Sequence, residues 1–233
     1  MIEIVKGNKT ALLFGASGLV GSFCLQQLLA HPAYSRVIAF TRRPLKVKHA
    51  KLEERIVNFD QPNTFSNLIK GDDLYICIGT TMAKAGSKAA FYKVDFTYCF
   101  QVAKAASINK VNQLLLVTAV GADRDSFFFY NRVKGDLEEA VKALPFWATH
   151  IFQPSALLGE RNENRWGEEI AGAIGKVFDR LTGGLLTKYR PVEAEVVAQA
   201  MISAAQGLQG GTRVYPSHYL QDLANDAELK RLI

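Results

Sequence analysis

The stretch TALLFGASGLVGS (residues 10–22) begins as an apolar run, turns at glycines and continues with helical spacing. Gly15, Gly18 and Gly21 are three residues apart, between a predicted strand over 10–14 and a predicted helix over 19–30. Glycine permits a tight turn and a close approach of the backbone, and a helix N-terminus offers N–H groups to an anion. The stretch therefore predicts a phosphate-binding turn at the start of an α/β fold. The alternative is tight packing of helix on strand without a ligand.

Further short apolar runs follow at regular intervals. Near-continuous apolar runs are typical of parallel strands that are covered on both faces. They predict strands over 36–40, 55–59, 74–78, 113–117 and 148–152, helices over 91–109 and 131–144, and, later, helices over 168–181 and 192–206 and a strand near 213–215. This alternation predicts a doubly wound parallel sheet, the Rossmann fold, with helices on both faces and a small C-terminal elaboration on the substrate side.

The second predicted strand ends in Phe40, Thr41, Arg42 and Arg43. An NAD-binding protein usually has an acidic residue at this point, which accepts hydrogen bonds from the ribose hydroxyls. The planar guanidinium group instead matches a phosphate, and no carboxylate is present to repel it. The sequence therefore favours NADP over NAD, although Arg42 and Arg43 can also be read as solvated loop charges.

Two other strand ends carry polar groups. Asp60 follows the third predicted strand, where it can accept from an adenine amino group or cap a helix that starts near Asn63. Gly79 and Thr80 follow the fourth strand and place a small residue and a hydroxyl where a dinucleotide crosses the sheet. Ligands of doubly wound sheets bind at the carboxyl ends of the strands, so these positions are candidate contacts.

Tyr130 and Lys134 are four residues apart at the start of a predicted helix and so share one face. The ammonium can stabilise a phenolate, which lets Tyr130 give a proton to a carbonyl oxygen as hydride arrives. Thr118 ends the fifth predicted strand, where its hydroxyl can hold the substrate oxygen. In the alternative interpretation, Thr118 merely ends a strand and Tyr130 packs against the core.

Residues 10–160 carry an ordered set of motifs: LLFGASGLVGS, AFTRRPL, CIGTT, FYKVD, TAVGAD, YNRVKGDLE and QPSALLGER. As a set, they resemble the short-chain dehydrogenase/reductase superfamily, in particular its atypical branch of bacterial oxidoreductase-like proteins and the human Tat-interacting protein. The resemblance implies that Tyr130 is the acid/base and that Lys134 also binds the nicotinamide ribose. Thr118 stands where serine is usual, and Gln153 where arginine is common. These departures bear more on the reaction than on the cofactor.

The expected cofactor contacts are Gly15, Ala16, Ser17, Gly18, Leu19, Val20, Gly21, Arg42, Arg43, Asp60, Gly79, Thr80, Lys134, Pro154 and Ser155. The expected catalytic group is Thr118, Tyr130 and Lys134. We expect a single domain over 1–233, in which 1–152 mainly bind the cofactor and 153–233 mainly face the substrate. The substrate is a small carbonyl or alcohol that the sequence does not name. A regulatory or protein-interaction module that binds NADP without turnover is the alternative.

The composition of the 233 residues narrows the function classes. Charged residues make up 21% and hydrophobic residues 48%, which is typical of a globular domain. Three cysteines without CxxC spacing predict neither disulfides nor a metal site, and the expected setting is the cytoplasm. The net charge of +6 includes a basic segment over 42–51, but that segment has no stacking aromatic residue, so specific nucleic-acid binding is not expected. The uncharged stretch over 10–35 contains glycines and a proline, so no membrane span is expected.

Overall fold

The first strand, β1 (Lys9–Phe14), shows why the sheet is buried on both sides. Its side chains alternate, so that Ala11 and Leu13 pack in one hydrophobic cluster and Leu12 and Phe14 in another. A strand covered on both faces needs apolar residues at successive positions, which accounts for the unbroken run in the sequence. The structure, a computed structural model, describes residues 7–158 and 191–231.

The main sheet has seven strands, all parallel to their neighbours. They are β1, β2 (Tyr34–Thr41), β3 (Leu52–Ile56), β4 (Asp73–Ile76), β5 (Gln113–Val117), β6 (Ala148–Gln153) and β9 (Gly211–Pro216). Their order across the sheet is β3-β2-β1-β4-β5-β6-β9. Successive connections run in opposite directions from β1, so a crevice forms between the carboxyl ends of β1 and β4. A separate two-stranded sheet pairs β7 (Leu157–Leu158) with β8 (Val192–Glu193).

Helices cover both faces of the sheet, which confirms the predicted doubly wound fold. The described helices are α1 (Leu19–Ala30), α2 (Met82–Ala85), α3 (Lys88–Tyr92), α4 (Cys99–Ile108), α5 (Phe129–Lys142), α6 (Ala194–Gln206) and α7 (Leu220–Arg231). Helices α1 and α6 pack on one face, and α4 and α5 on the other. A π-helical segment, Lys93–Tyr98, joins α3 to α4. The predicted helix over 168–181 lies outside the described residues.

The predicted position of the third strand is wrong by three residues. The strand was expected over 55–59, whereas β3 is Leu52–Ile56 at the edge of the sheet. An edge strand does not need an apolar run, and here Glu53 forms ion pairs with Arg36 and Arg55. The apolar residues serve the core instead, because Phe59 packs edge-on against Phe14 with 6.1 Å between ring centroids.

A buried polar network lies at the amino end of the sheet. Lys9 Nζ is 3.0 Å from Asp73 Oδ2, and both side chains are 1% exposed. Tyr34 Oη donates to the same Oδ2 (2.6 Å), and Gln113 Nε2 donates to Oδ1 (2.8 Å). Burial raises the pKa of Asp73, although Lys9 opposes this effect. Both carboxylate oxygens of Asp73 thus have donors within the protein, and all four side chains of the network are almost fully buried.

Three bulk features of the described ranges bear on function. Within 7–158 and 191–231, no helix is both long and apolar enough to cross a membrane. The same ranges hold no group of three or more potential metal-binding side chains. Cys24, Cys77 and Cys99 are free thiols, of which Cys77 is partly exposed.

Candidate functional site

The corner after β1 depends on two of its glycines. Gly15 has a φ of +91°, which residues with side chains rarely adopt. A Cβ on Gly15 would lie 2.6 Å from the carbonyl carbon of Cys77, and one on Gly21 would lie 2.0 Å from the carbonyl oxygen of Gly15. Gly15 therefore allows the corner to pack on the end of β4, and Gly21 allows α1 to pass directly behind the corner.

The N-terminus of α1 is open to an anion. Gly18 is its N-cap, and among the described side chains none caps the helix and none in the first turn is acidic. The first N–H groups of a helix lack partners within the helix and lie at the positive end of its dipole. A negatively charged group is therefore the ligand that this corner favours.

A cleft of about 770 Å³ opens above this corner. Eight of the predicted cofactor contacts line it: Gly15, Ala16, Ser17, Gly18, Leu19, Arg42, Gly79 and Thr80. Phe59 and Tyr98 line it as well, with 5.4 Å between their ring centroids. The cleft thus joins the glycine corner, the end of β2 and the end of β4, which suits an extended ligand with an anionic centre.

The other predicted cofactor contacts do not line this cleft. They are Val20, Gly21, Arg43, Asp60, Lys134, Pro154 and Ser155. Val20 is buried in the core, and Gly21 serves helix packing. Arg43 is exposed, outside the lining. The Ser155 N–H donates to Ser217 Oγ (3.1 Å), so the loop after β6 is tied to the turn after β9.

Asp60 already has two partners. Lys93 Nζ is 2.7 Å from Asp60 Oδ1, and Tyr98 Oη donates to the same oxygen. The hydrogen bond from Lys93 is the main reason that the pKa of Asp60 is lowered. In this arrangement the carboxylate links the loop after β3 to the π-helical segment, and Tyr98 is the residue of this group that faces the cleft.

Tyr130 and Lys134 lie one turn apart on α5, as predicted. The Tyr130 side chain is 36% exposed and packs on Phe91, with 5.4 Å between ring centroids. Lys134 is buried, and its Nζ is 2.7 Å from Oδ1 of the buried Asp95. Burial alone would lower the pKa of Lys134, but Asp95 and, to a lesser degree, Tyr130 raise it above its ordinary value. The lysine is therefore a charged donor at neutral pH.

Gly79 and Thr80 connect this ion pair to the cleft. Asp95 Oδ2 accepts a hydrogen bond from the Thr80 N–H (2.9 Å). A Cβ on Gly79 would lie 3.4 Å from Asp95 Oδ1 and 3.8 Å from Lys134 Nζ. Because Gly79 and Thr80 both line the cleft, the pair lies directly behind its wall.

Thr118 is buried and makes a different set of contacts. Its Oγ1 donates to Glu138 Oε1 (2.6 Å), and Gln153 Nε2 lies 3.0 Å from each oxygen of the same carboxyl group. Burial raises the pKa of Glu138, although these two hydrogen bonds oppose the effect. The hydroxyl proton of Thr118 is thus directed at Glu138 and not at the cleft.

Asp95 and Glu138 are not among the site residues predicted from the sequence. Glu138 follows Lys134 by four residues on the same helix, so the helical spacing carried a signal that was available. Asp95 lies within the π-helical segment, where the facing of side chains departs from the ordinary helical period. Its contact with Lys134 has no comparable signal in the spacing.

A parallel sheet with a glycine corner, an open helix N-terminus and a polar cleft at its carboxyl ends defines a dinucleotide-binding Rossmann protein. The chain belongs to the NAD(P)H-binding family, whose model matches residues 15–151. The cofactor expected from the sequence is thereby supported at the level of NAD(P).

Curated relatives cover most of the chain. Protein fmp52, mitochondrial, from Emericella nidulans is 34% identical over 203 residues, which are 82% of this chain and 85% of the relative. Protein HTATIP2 from Rattus norvegicus is 32% identical over 200 residues, which are 84% of this chain and 81% of the relative. The predicted resemblance is thereby confirmed as kinship with the NAD(P)H-binding homologues Fmp52 and HTATIP2.

Solved structures agree on the fold. The WbmH enzyme of Bordetella bronchiseptica, in complex with NAD⁺, superposes with a TM-score of 0.66 over 90% of this chain and 76% of that chain. The two sequences are 15% identical, so the match supports the architecture alone.

The predicted cytoplasmic setting is wrong. Fungal relatives from Emericella nidulans, Candida glabrata and Candida albicans are named as mitochondrial proteins. The cytoplasmic prediction rested on free cysteines in apolar surroundings, and reduced thiols do not distinguish the cytoplasm from another reducing compartment. The names of the relatives point to the mitochondrion.

Proposed function

We propose that this protein is an NADP-dependent oxidoreductase that reduces a carbonyl group or oxidises an alcohol, with Tyr130 as the acid/base. The observation that carries the proposal is that Arg42 lines the same cleft as the glycine corner. An arginine at the end of β2 suits a 2′-phosphate, and residues 41–48 contain no acidic side chain that would repel it. The names of the fungal relatives support a mitochondrial setting for this activity.

The glycine corner and the N-terminus of α1 hold the pyrophosphate in this proposal, and Arg42 holds the additional phosphate. When bound, the nicotinamide ring supplies or accepts hydride. Tyr130 gives the proton to the substrate oxygen in the reductive direction and takes it back in the oxidative direction. Lys134 contributes a positive charge one turn away on the same helix.

A second candidate is an NADP-binding regulatory or protein-interaction module without significant turnover. The contact between Thr118 and Glu138 favours it, because a hydroxyl that donates to a buried carboxyl group does not also donate to a substrate oxygen. In an enzyme, this hydroxyl must turn towards the substrate or act as an acceptor.

Hydride transfer from NADPH to a panel of aldehydes, ketones and quinones separates the two candidates. Replacement of Tyr130→Phe should leave NADPH binding intact and reduce turnover roughly 100-fold or more, since the phenol proton is lost. Tyr92→Phe is a matched control, because this tyrosine is exposed to a similar degree and, like Tyr130, lies outside the cleft lining, but it is on α3 and not one turn from Lys134 on α5. Equal turnover of the Tyr130→Phe variant and the unaltered chain would reject Tyr130 as the proton donor. Binding of NADPH without oxidation across the whole panel would favour the regulatory module.

A further inference from the structure

Lys134 is a buried cation next to the cleft. Its side chain is 5% exposed and that of Asp95 is 1% exposed, so water contributes little to the solvation of either charge. A lysine in such a place usually loses its proton unless an opposite charge lies beside it. The protonation state of Lys134 therefore depends on the groups that surround its Nζ.

Three titratable groups act on Lys134. Asp95 faces it from the π-helical segment, Tyr130 from the preceding turn of α5, and Cys99 from the start of α4. Asp95 has the largest influence of the three and is the one that forms an ion pair with the ammonium. The pKa of Lys134 is raised above its ordinary value even though burial acts in the opposite direction.

The two oxygens of Asp95 have different partners. Oδ1 lies 2.7 Å from Lys134 Nζ, and Oδ2 accepts from the Thr80 N–H at 2.9 Å. Thr80 belongs to the wall of the cleft at the end of β4, whereas Lys134 belongs to α5. Asp95 thus connects the strand end to the helix that carries Tyr130 and Lys134.

The backbone around Asp95 departs from regular α-helical geometry. The helix over 88–108 changes from α to π geometry over Lys93–Tyr98 and then returns to α geometry. Single π segments within α-helices change the facing of the side chains they contain and are frequent at functional sites. Within this segment, Asp95 is the residue whose side chain is fully buried.

We propose that Asp95 is a positioning residue that holds the Lys134 ammonium, in its charged form, behind Gly79 at the wall of the cleft. The inference rests on the proposed function, because Tyr130 and a bound nicotinamide ribose require a charged Lys134 that is held in place. Because the proposal concerns an ion pair, it can be tested without measuring turnover. Asp95→Asn is the informative variant, because an amide offers one acceptor oxygen where the carboxylate offers two, and it carries no charge.

The test is an NMR titration of the full chain labelled with ¹³Cε-lysine, in which the Lys134 signal is assigned with a Lys134→Met variant. In the unaltered protein, we expect this signal to remain that of a charged lysine up to the ordinary lysine range. In Asp95→Asn, we expect its midpoint to fall by about 2 pH units or more, because burial then acts unopposed by a carboxylate. An unchanged midpoint in Asp95→Asn would overturn the proposal. So would titration of Lys134 well below the ordinary range in the unaltered chain, a measurement that does not depend on the variant folding.

Asp73→Asn is the matched control, since Asp73 is also buried beside a buried lysine but lies at the opposite end of the sheet. It should lower stability without moving the Lys134 signal. A shift of that signal in Asp73→Asn as large as in Asp95→Asn would assign the effect to general loosening and reject the proposal.

The affinity for NADPH, measured as a function of pH, is a second test of the Asp95–Lys134 pair. Its pH dependence should become steeper in Asp95→Asn, with roughly tenfold weaker binding above the new Lys134 midpoint and no such loss in the unaltered chain. A pH profile identical to that of the unaltered chain would count against Asp95. The two proposals fail separately. If the protein fails to oxidise NADPH with every carbonyl compound tested but shows the expected Lys134 titration, the proposed function is rejected and the assignment of Asp95 stands.

Discussion

Two buried lysine–aspartate pairs lie at opposite ends of the sheet. At the amino end, Lys9 and Asp73 are 3.0 Å apart and Tyr34 and Gln113 donate to the same carboxylate. At the carboxyl end, Lys134 and Asp95 are 2.7 Å apart behind Gly79, which lines an open cleft. The residue types, burial and distances are nearly the same, but the surroundings differ.

The comparison shows that a buried ion pair does not by itself indicate function. The amino-end pair has side-chain donors on both carboxylate oxygens, and neither Lys9 nor Asp73 lines the cleft, so it serves the structure. The carboxyl-end pair lies between the glycine corner and the helix that carries Tyr130, so its charge can act on a ligand. What distinguishes the two is that the carboxyl-end pair lies next to Gly79, which lines the cleft.

The largest effect on stability should follow from breaking the pair at the amino end of the sheet. Asp73→Asn leaves the Lys9 ammonium buried without a counter-charge, and we expect a loss of about 4 kcal/mol in the free energy of unfolding. Urea unfolding measures this loss, and an NADPH titration of the same variant should show unchanged affinity. A loss below about 1 kcal/mol, the value of an exposed pair, would contradict the assignment of a structural role to this buried pair.

The glycine corner should be the next most sensitive feature, and here binding must change together with stability. Gly15→Ala forces a Cβ against the Cys77 carbonyl group and strains a positive φ, which should cost about 3 kcal/mol and abolish NADPH binding. Gly211→Ala is the control, because Gly211 has a φ of +85° but open space around it. It should cost about 1 kcal/mol and leave affinity unchanged. Similar losses of NADPH affinity in both variants would show that the close approach at Gly15 is irrelevant.

A smaller effect should come from the arginine that lines the cleft. Arg42→Ala should weaken NADPH binding about tenfold and leave NADH binding almost unchanged, because only the phosphorylated ribose loses a partner. Its sequence neighbour provides the control, as Arg43→Ala removes the same charge outside the lining. Fluorescence titration of both variants with both nucleotides checks this, and a greater loss in Arg43→Ala would reassign the phosphate contact.

The smallest effect concerns Glu138, a buried acid at the carboxyl end that forms no ion pair with a lysine among the described residues. Because burial raises its pKa, the stability it contributes is greatest at low pH and is lost as the pH rises through that raised value. Glu138→Gln should therefore flatten the fall in stability as the pH rises above the ordinary carboxyl range, with a change under roughly 1 kcal/mol at neutral pH.

The adjacent Glu139 has the opposite behaviour and serves as the control. Lys142 lowers its pKa, so any contribution to stability is present above the ordinary carboxyl range and is lost as the pH falls. Because Glu139 is exposed, Glu139→Gln should change the profile of urea unfolding against pH very little. A flatter profile in this variant, and none in Glu138→Gln, would mean that the carboxyl group next to Thr118 does not titrate as proposed.

The features that the sequence predicted are those that depend on local pattern. Glycine spacing after an apolar strand predicts the corner at Gly15, and the order of apolar runs predicts the sheet, because both follow from backbone sterics and burial. Edge position is not local, so the third strand was placed three residues too late, where Phe59 in fact enters the core.

Contacts between distant segments were beyond sequence reasoning. Asp60 was expected near adenine, but its partners Lys93 and Tyr98 come from a segment more than thirty residues later. Arg42 and Arg43 look equivalent in the sequence, and only the course of the chain after β2 separates the one that lines the cleft. The contact between Asp95 and Lys134 depends on a π-helical segment, and no apolar periodicity in the sequence predicts that segment.

The central claim is that the cleft at the carboxyl end of the sheet binds NADP. Titration of the unaltered chain with NADPH and NADH, followed by nucleotide fluorescence at matched ionic strength, tests it most directly. We expect NADPH to bind at least about tenfold more tightly than NADH. Equal affinity, or a preference for NADH, would contradict the assignment of Arg42, and no binding of either nucleotide would contradict the cleft itself.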